Sequence, residues 1–162
     1  MKDSIRHFHT KVVGVTHKNP NGKSRQSILK KCKPLELLEL EHDDENPHDA
    51  NAVRVCRGNG EQIGFLNARL ASEVVCKAGR GYRYGAYVKN VTGGRGRTPT
   101  MGLNLLIVVA DPGVGDADVQ RFVNRLDLSD ADAPRSGGGN LRTLVVLALI
   151  VAVVAVFIGE CS

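Results

Sequence analysis

Apolar and polar positions alternate along most of the first 110 residues, the two-residue period of strands with one covered face. Phe8 to Thr16, rich in β-branched residues, predicts a first strand, and Pro34 to Glu41, with leucines set mostly against glutamates, a second. Val53 to Cys56 and Gln62 to Leu66 follow as a hairpin around Gly58-Asn59-Gly60, and Tyr82 to Val91 and Met101 to Val109 complete a set of about six strands. The period lengthens twice. Ser24 to Lys31, entered through the Asn19-Pro20-Asn21-Gly22 turn with Ser24 as N-cap, turns Ile28 and Leu29 inward. Ala68 to Lys77, behind Asn67 as N-cap, does the same with Leu70, Val74 and Val75. Six short strands and two short helices pack as a small, mostly antiparallel barrel or sandwich.

The chain is organised around Glu45-Asn46-Pro47-His48-Asp49-Ala50-Asn51-Ala52-Val53-Arg54-Val55. Asn46 precedes a proline and is biased out of the helical region, while Asp49 and Asn51 can bond their own neighbouring backbone, so a tight ordered turn delivers the strand that begins at Val53. Gly64, inside the next strand, marks a close approach by another backbone or by a ligand.

Charge narrows the choice of partner. Residues 1–110 hold 18 Lys/Arg against 10 Asp/Glu and are basic, whereas residues 111–162 hold 4 against 7. Lys23, Arg25, Lys30, Lys31 and Lys33 crowd one short segment, and Arg95 and Arg97 mark a glycine-rich, flexible hairpin tip. Such clusters suit a phosphate backbone or anionic lipid, or stand simply as a solvated surface. With no tryptophan, three tyrosines and four phenylalanines, stacking platforms for bases are few. Cys32, Cys56, Cys76 and Cys161 are too scattered for a zinc motif and read as reduced side chains. His7 with His9, and His42 with His48, fall short of a ligand set, and no metal or cofactor is expected. No Ser/His/Asp or Cys/His set and no phosphate-binding Gly-x-x-x-x-Gly-Lys loop occurs, so catalysis is not expected.

Three blocks in order, Val12-Val13-Gly14-Val15-Thr16, Asn46-Pro47-His48-Asp49-Ala50-Asn51-Ala52 and Gln62-Ile63-Gly64-Phe65-Leu66, resemble the HIRAN domain over roughly Phe8 to Ala110. The resemblance implies an OB- or SH3-like antiparallel β-barrel with small helices. It also implies binding of single-stranded DNA or DNA ends, particularly 3′ ends, beside a helicase or nuclease supplied by another chain. Carried over, the binding residues are Asn46, Pro47, His48, Asp49, Asn51, Ala52, Gly64 and Phe65. The basic candidates are Lys11 on the first strand, Lys23, Arg25, Arg95 and Arg97.

Beyond the domain at 1–110, residues 111–140 form an acidic, Gly-rich linker in which Asp116 to Leu126 has the spacing of a short amphipathic helix. Leu144 to Ile158 then carries no polar side chain, and residues 141–159 are expected to form a transmembrane helix, at the short end of what spans a bilayer. The polar start, Met1 to Arg6, holds no signal-peptide core and is expected to fray. Arg135 and Arg142 on the domain side of the run place the domain in the cytoplasm. Two functions follow as expectations: a membrane-tethered nucleic-acid-binding module, or a membrane-anchored protein-interaction adaptor.

Overall fold

A computed structural model of the chain describes residues 4–126. The linker beyond Leu126 and the apolar run Leu144 to Ile158 lie outside the described residues. Among the described residues no helix is long and apolar enough to cross a membrane.

Six strands form one antiparallel sheet: β1 (Ile5–Lys11), β2 (Leu37–His42), β3 (Val53–Arg57), β4 (Gln62–Phe65), β5 (Arg83–Arg95) and β6 (Thr98–Ala110), ordered β1-β6-β5-β2-β3-β4. Its two edges meet. Val13, just past β1, forms a bridge with Phe65 in which each N–H donates to the other's carbonyl, at 2.9 and 3.0 Å, so the sheet curls into a barrel. Helix α1 (Arg25–Leu29) packs against β4 and β6 and helix α2 (Ala68–Ala78) against β5, and Ile28, Leu29, Leu70, Ala71 and Val74 join the strand leucines, valines and isoleucines in the main core. Asn67 caps α2 as expected, its side chain accepting the Leu70 N–H at 3.1 Å. Ser24 occupies the cap position of α1 but makes no side-chain cap bond.

Boundaries differ from the pattern where the backbone turns early. β1 pairs from Ile5, because its partner β6 runs on to Ala110, so the expected frayed start is ordered from that point. It ends before Gly14, whose φ of +70° turns the chain out of the sheet. Leu35 is likewise outside β2: it sits in a turn at φ +67°, where the Glu36 side chain receives the Lys33 N–H. The hairpin tip expected at residues 93–97 is shorter: β5 continues past Val91 to Arg95, with Gly93 opposite Met101, and β6 begins at Thr98, so only Gly96 and Arg97 lie between the strands.

β6 is buried on both faces, which explains its unbroken Leu105-Leu106-Ile107-Val108-Val109 run. Leu105, Ile107 and Val109 face the barrel. Leu106 and Val108, with Tyr87, lie beneath α3 (Asp116–Arg125), whose Val119, Phe122 and Val123 form a second small core with them. Helix α3, expected within the linker, therefore lies against the sheet. It is tied there by Arg83, which bonds Asp116 and the Val114 carbonyl, and by Arg6 to Asp111.

Candidate nucleic-acid interface

The turn between β2 and β3 is braced by its own side chains. The Asn46 carbonyl oxygen accepts the His48 N–H at 3.0 Å while its amide donates to Asp43, and Asp49 Oδ1 accepts the Asn51 N–H at 2.9 Å. His42 Nε2 meets the Ala50 carbonyl at 2.8 Å. The second Asp49 carboxylate oxygen has no hydrogen-bond partner among the described residues. Pro47, His48 and Asn51 are exposed. Ala52, by contrast, is buried, and its carbonyl accepts the Asp43 N–H, so it fastens the loop to the barrel instead of facing a ligand.

The loop opens onto the closure of the barrel. Antiparallel β3 and β4 bring its end, Val53, to Leu66, whose N–H donates to the Val53 carbonyl at 3.0 Å. Directly opposed residues share a face, so Glu41, Arg54, Phe65 and Val13 form one outward row across four chain segments. Val13 is 43% exposed, a large apolar side chain left in water.

Three carried-over or basic candidates take structural positions. Gly64 faces inward, and a side chain there would strike the Val13 carbonyl and the Val12 side chain; the close approach is therefore the chain's own backbone, not a ligand's. Arg25 is buried at 6% exposure. Its Nε donates to Asn19 Oδ1 at 2.6 Å and its Nη1 to the Gly14 carbonyl at 2.9 Å, and the guanidinium covers the Phe65 ring at 5.2 Å. It braces the closure and is not a solvated phosphate contact. Lys23 is exposed but engaged: with Lys31 it approaches Glu61 at 3.5 Å. Hydrogen bonding from Asn59, then the two lysines, hold the Glu61 carboxyl down to about 2. Arg57 joins this network through Glu61 and through Glu36 at 2.6 Å.

Lys11 is exposed two residues before Val13 and opposite Asn104. Arg95 and Arg97 stand on the arm formed by the ends of β5 and β6, where every residue from Thr92 to Thr100 is exposed. The structure thus gathers the loop, Phe65 and Arg25 at one end of β3 and β4, and sets the arm's arginines apart on their own projection.

Two residues were missed by the sequence reading. His17 is exposed and lies with Phe65 and Arg25 around Gly14. Arg54 has only Glu41 as an ion partner, at 3.6 Å, and its Nε is buried without a hydrogen bond among the described residues. Alternation inside the organising stretch already turns Arg54 away from buried Val53 and Val55. For His17 the signal is absent, because its neighbours are set by the positive φ at Gly14. Two cysteines are held as neutral thiols: burial pushes the Cys32 thiol up to about 11 and the Cys56 thiol to about 12.

No curated protein matches the chain. Solved structures similar to it include the HIRAN domain of human HLTF, 19% identical, covering 70% of this chain and 84% of that one with a TM-score of 0.49. A Lactobacillus plantarum protein is 16% identical, covering 64% of this chain and 97% of its own at a TM-score of 0.46. A family model described as the HIRAN domain matches residues 5–100. The chain belongs to the HIRAN domain family, whose members are nucleic-acid-binding modules.

Proposed function

We propose that this domain binds single-stranded DNA at free ends, 3′ ends in particular, across the outward face at the barrel closure. The observation that carries the reading is the braced loop, which ends beside β4: its side-chain bonds fix the backbone while leaving His48 exposed and one oxygen of the half-buried Asp49 carboxylate without a hydrogen bond among the described residues. A carboxylate accepts and does not donate, so Asp49 suits a terminal hydroxyl and repels a terminal phosphate. Exposed imidazole rings at His17 and His48 supply stacking area where tryptophan and tyrosine are lacking. Arg54, Lys11 and the arm's arginines supply charge for the backbone. The domain acts by binding, handing the end to a separate helicase or nuclease.

The apolar run Leu144 to Ile158 is proposed to hold the domain at the cytoplasmic side of a membrane. Full-length protein is expected in the membrane fraction and released by detergent, and a chain ending at residue 135 is expected to stay in the supernatant; full-length protein soluble without detergent removes the anchor.

Binding is tested with the full-length chain in detergent and fluorescent oligonucleotides. Preference for single strands, and a log–log salt slope of about −0.7 per phosphate contact, are expected. Affinity indifferent to strand state and to salt overturns nucleic-acid binding and favours a protein-interaction adaptor.

A further inference from the structure

The arm's arginines reach a DNA strand only if the arm is aimed, and one side chain sits where its aim is set. Strand β6 runs between β5 and β1 until β1 turns away; the last main-chain bond on the β1 side is Val12 N–H to the Leu103 carbonyl at 3.0 Å. Two residues back, toward the start of β6, the next main-chain groups on that side belong to Met101. There the Gln26 side chain replaces a strand. Its carbonyl oxygen accepts the Met101 N–H at 2.8 Å and its amide donates to the Met101 carbonyl at 3.0 Å, as a peptide group of a neighbouring strand would. The same amide donates to the Val15 carbonyl at 2.9 Å, tying the clamp to the segment that leaves the barrel closure.

The opposite side of the ribbon bends at the same level. Gly93, paired with Met101, and Gly94 have φ of +73° and +78°, and the register shifts between Gly93 and Arg95. A Cβ on Gly94 would lie 2.7 Å from Met101 Cγ, so the bend presses closely on the clamped residue. Met101 is buried, whereas Thr92 to Thr100 are exposed. Supported sheet ends and free arm begins at Gln26.

We infer that Gln26 is a positioning residue for nucleic-acid binding, fixing the arm so that Arg95 and Arg97 lie along the same strand that the closure face holds. The inference rests on the proposed DNA-binding function. It makes the contribution of those arginines conditional on an amide that touches no ligand.

The test is a double-mutant cycle on the full-length chain in detergent, reading affinity for fluorescent oligothymidylates of about 6 and about 16 nucleotides, both within the range of about 4 to 16 nucleotides that small barrels of this kind occupy. In the wild-type background, replacing Arg95 and Arg97 by alanine is expected to weaken the longer oligonucleotide about tenfold and to reduce its salt slope by about 1.4. In a Gln26→Met background, which keeps the side chain's length and removes the amide, the same replacements are expected to cost less than about twofold. The shorter oligonucleotide is expected to bind Gln26→Met as it binds wild type. An equal arginine cost in both backgrounds overturns the positioning role. If Gln26→Met does not fold, Gln26→Glu, which retains only an acceptor for the Met101 N–H, is read by the same criterion. Wild-type protein that binds neither oligonucleotide overturns the DNA-binding function itself, a result distinct from binding with additive mutations.

Discussion

The turn at residues 43–52 and the arm at residues 92–100 both connect strands, both are rich in turn-forming residues, and they are held in opposite ways. The turn is braced from within by Asn46 and Asp49, and from the adjoining end of β2 by His42, each bonding backbone or a side chain among its ten residues. The arm has one long side-chain bond near its tip, from Thr98 Oγ1 to the Arg95 carbonyl at 3.4 Å, and is held chiefly at its base, by Gln26 on one side and by the glycine bend on the other. Internal bracing gives a surface that offers side chains in fixed places, suited to reading an end group. Support at one point gives a reach, suited to following a backbone whose position varies.

The contrast is broken most severely at Gly64, which serves the turn and not the arm. Gly64→Val forces a side chain into the Val13 carbonyl and the Val12 side chain and is expected to cost about 3 kcal/mol, by overpacking at the one bridge that closes the barrel. Urea unfolding measures the loss. A substitution tolerated within about 0.5 kcal/mol shows that the closure yields, and with it the rigidity attributed to the loop beside it.

Next in size is the brace itself. Asp49→Ala removes the bond to the Asn51 N–H and is expected to lower stability by about 1 kcal/mol. It is further expected to weaken binding to a 3′-hydroxyl end while leaving a 3′-phosphate end as well bound or better. Asp49→Asn separates the two roles, keeping an acceptor for Asn51 without the charge. If both variants unfold and bind as wild type does, the loop neither needs this brace nor reads an end through it.

The arm reverses the pattern. Arg97→Ala, at an exposed position without a recorded partner among the described residues, is expected to leave thermal unfolding unchanged within about 0.5 kcal/mol. It lowers affinity for single strands long enough to reach the arm, whatever their end group, and reduces the salt slope by about 0.7. A melting point that falls with Arg97→Ala assigns the arm a structural role.

These two regions also differ in how they could be read from the chain. The turn was legible because its bonds are local: Asn46 before a proline and Asp49 two residues before the N–H it accepts specify their own partners, although the Asn51 side chain, expected to do the same, makes no such bond among the described residues. The strands and α2 were legible for a similar reason, since period and cap lie within one segment. What escaped depends on contacts distant in sequence. Arg25 counts as one more cation in a basic run until Gly14 and Phe65 are placed around it, 11 and 40 residues away by number. Gln26 carries no local signal at all, because its partner lies 75 residues on. Gly64 announced a close approach without saying what approached. Helix α3 was legible as an amphipathic helix, but its docking depended on recognising that β6, apolar on both faces, leaves Leu106 and Val108 to be covered.

The smallest expected effect lies at Glu61, where lysines on either side of α1 meet the β3–β4 hairpin. Its carboxyl is held down to about 2 by Asn59, Lys31 and Lys23, against an ordinary value of 4.5. A group whose pKa is depressed on folding contributes stability that is complete above its unfolded value and is lost as pH falls through the folded one. The contribution of Glu61 is therefore expected to be whole above pH 4.5 and to disappear as the pH approaches 2. Glu61→Gln keeps the shape, loses the charge and should flatten that part of the stability profile, while leaving stability at neutral pH only slightly reduced because the two lysines it pairs with are largely exposed. The same substitution frees Lys23 and Lys31. If those lysines face a nucleic acid, Glu61→Gln tightens single-strand binding and steepens its salt dependence; if binding is unchanged, the lysines serve the fold alone, and the charge that matters to DNA lies at Arg54 and on the arm.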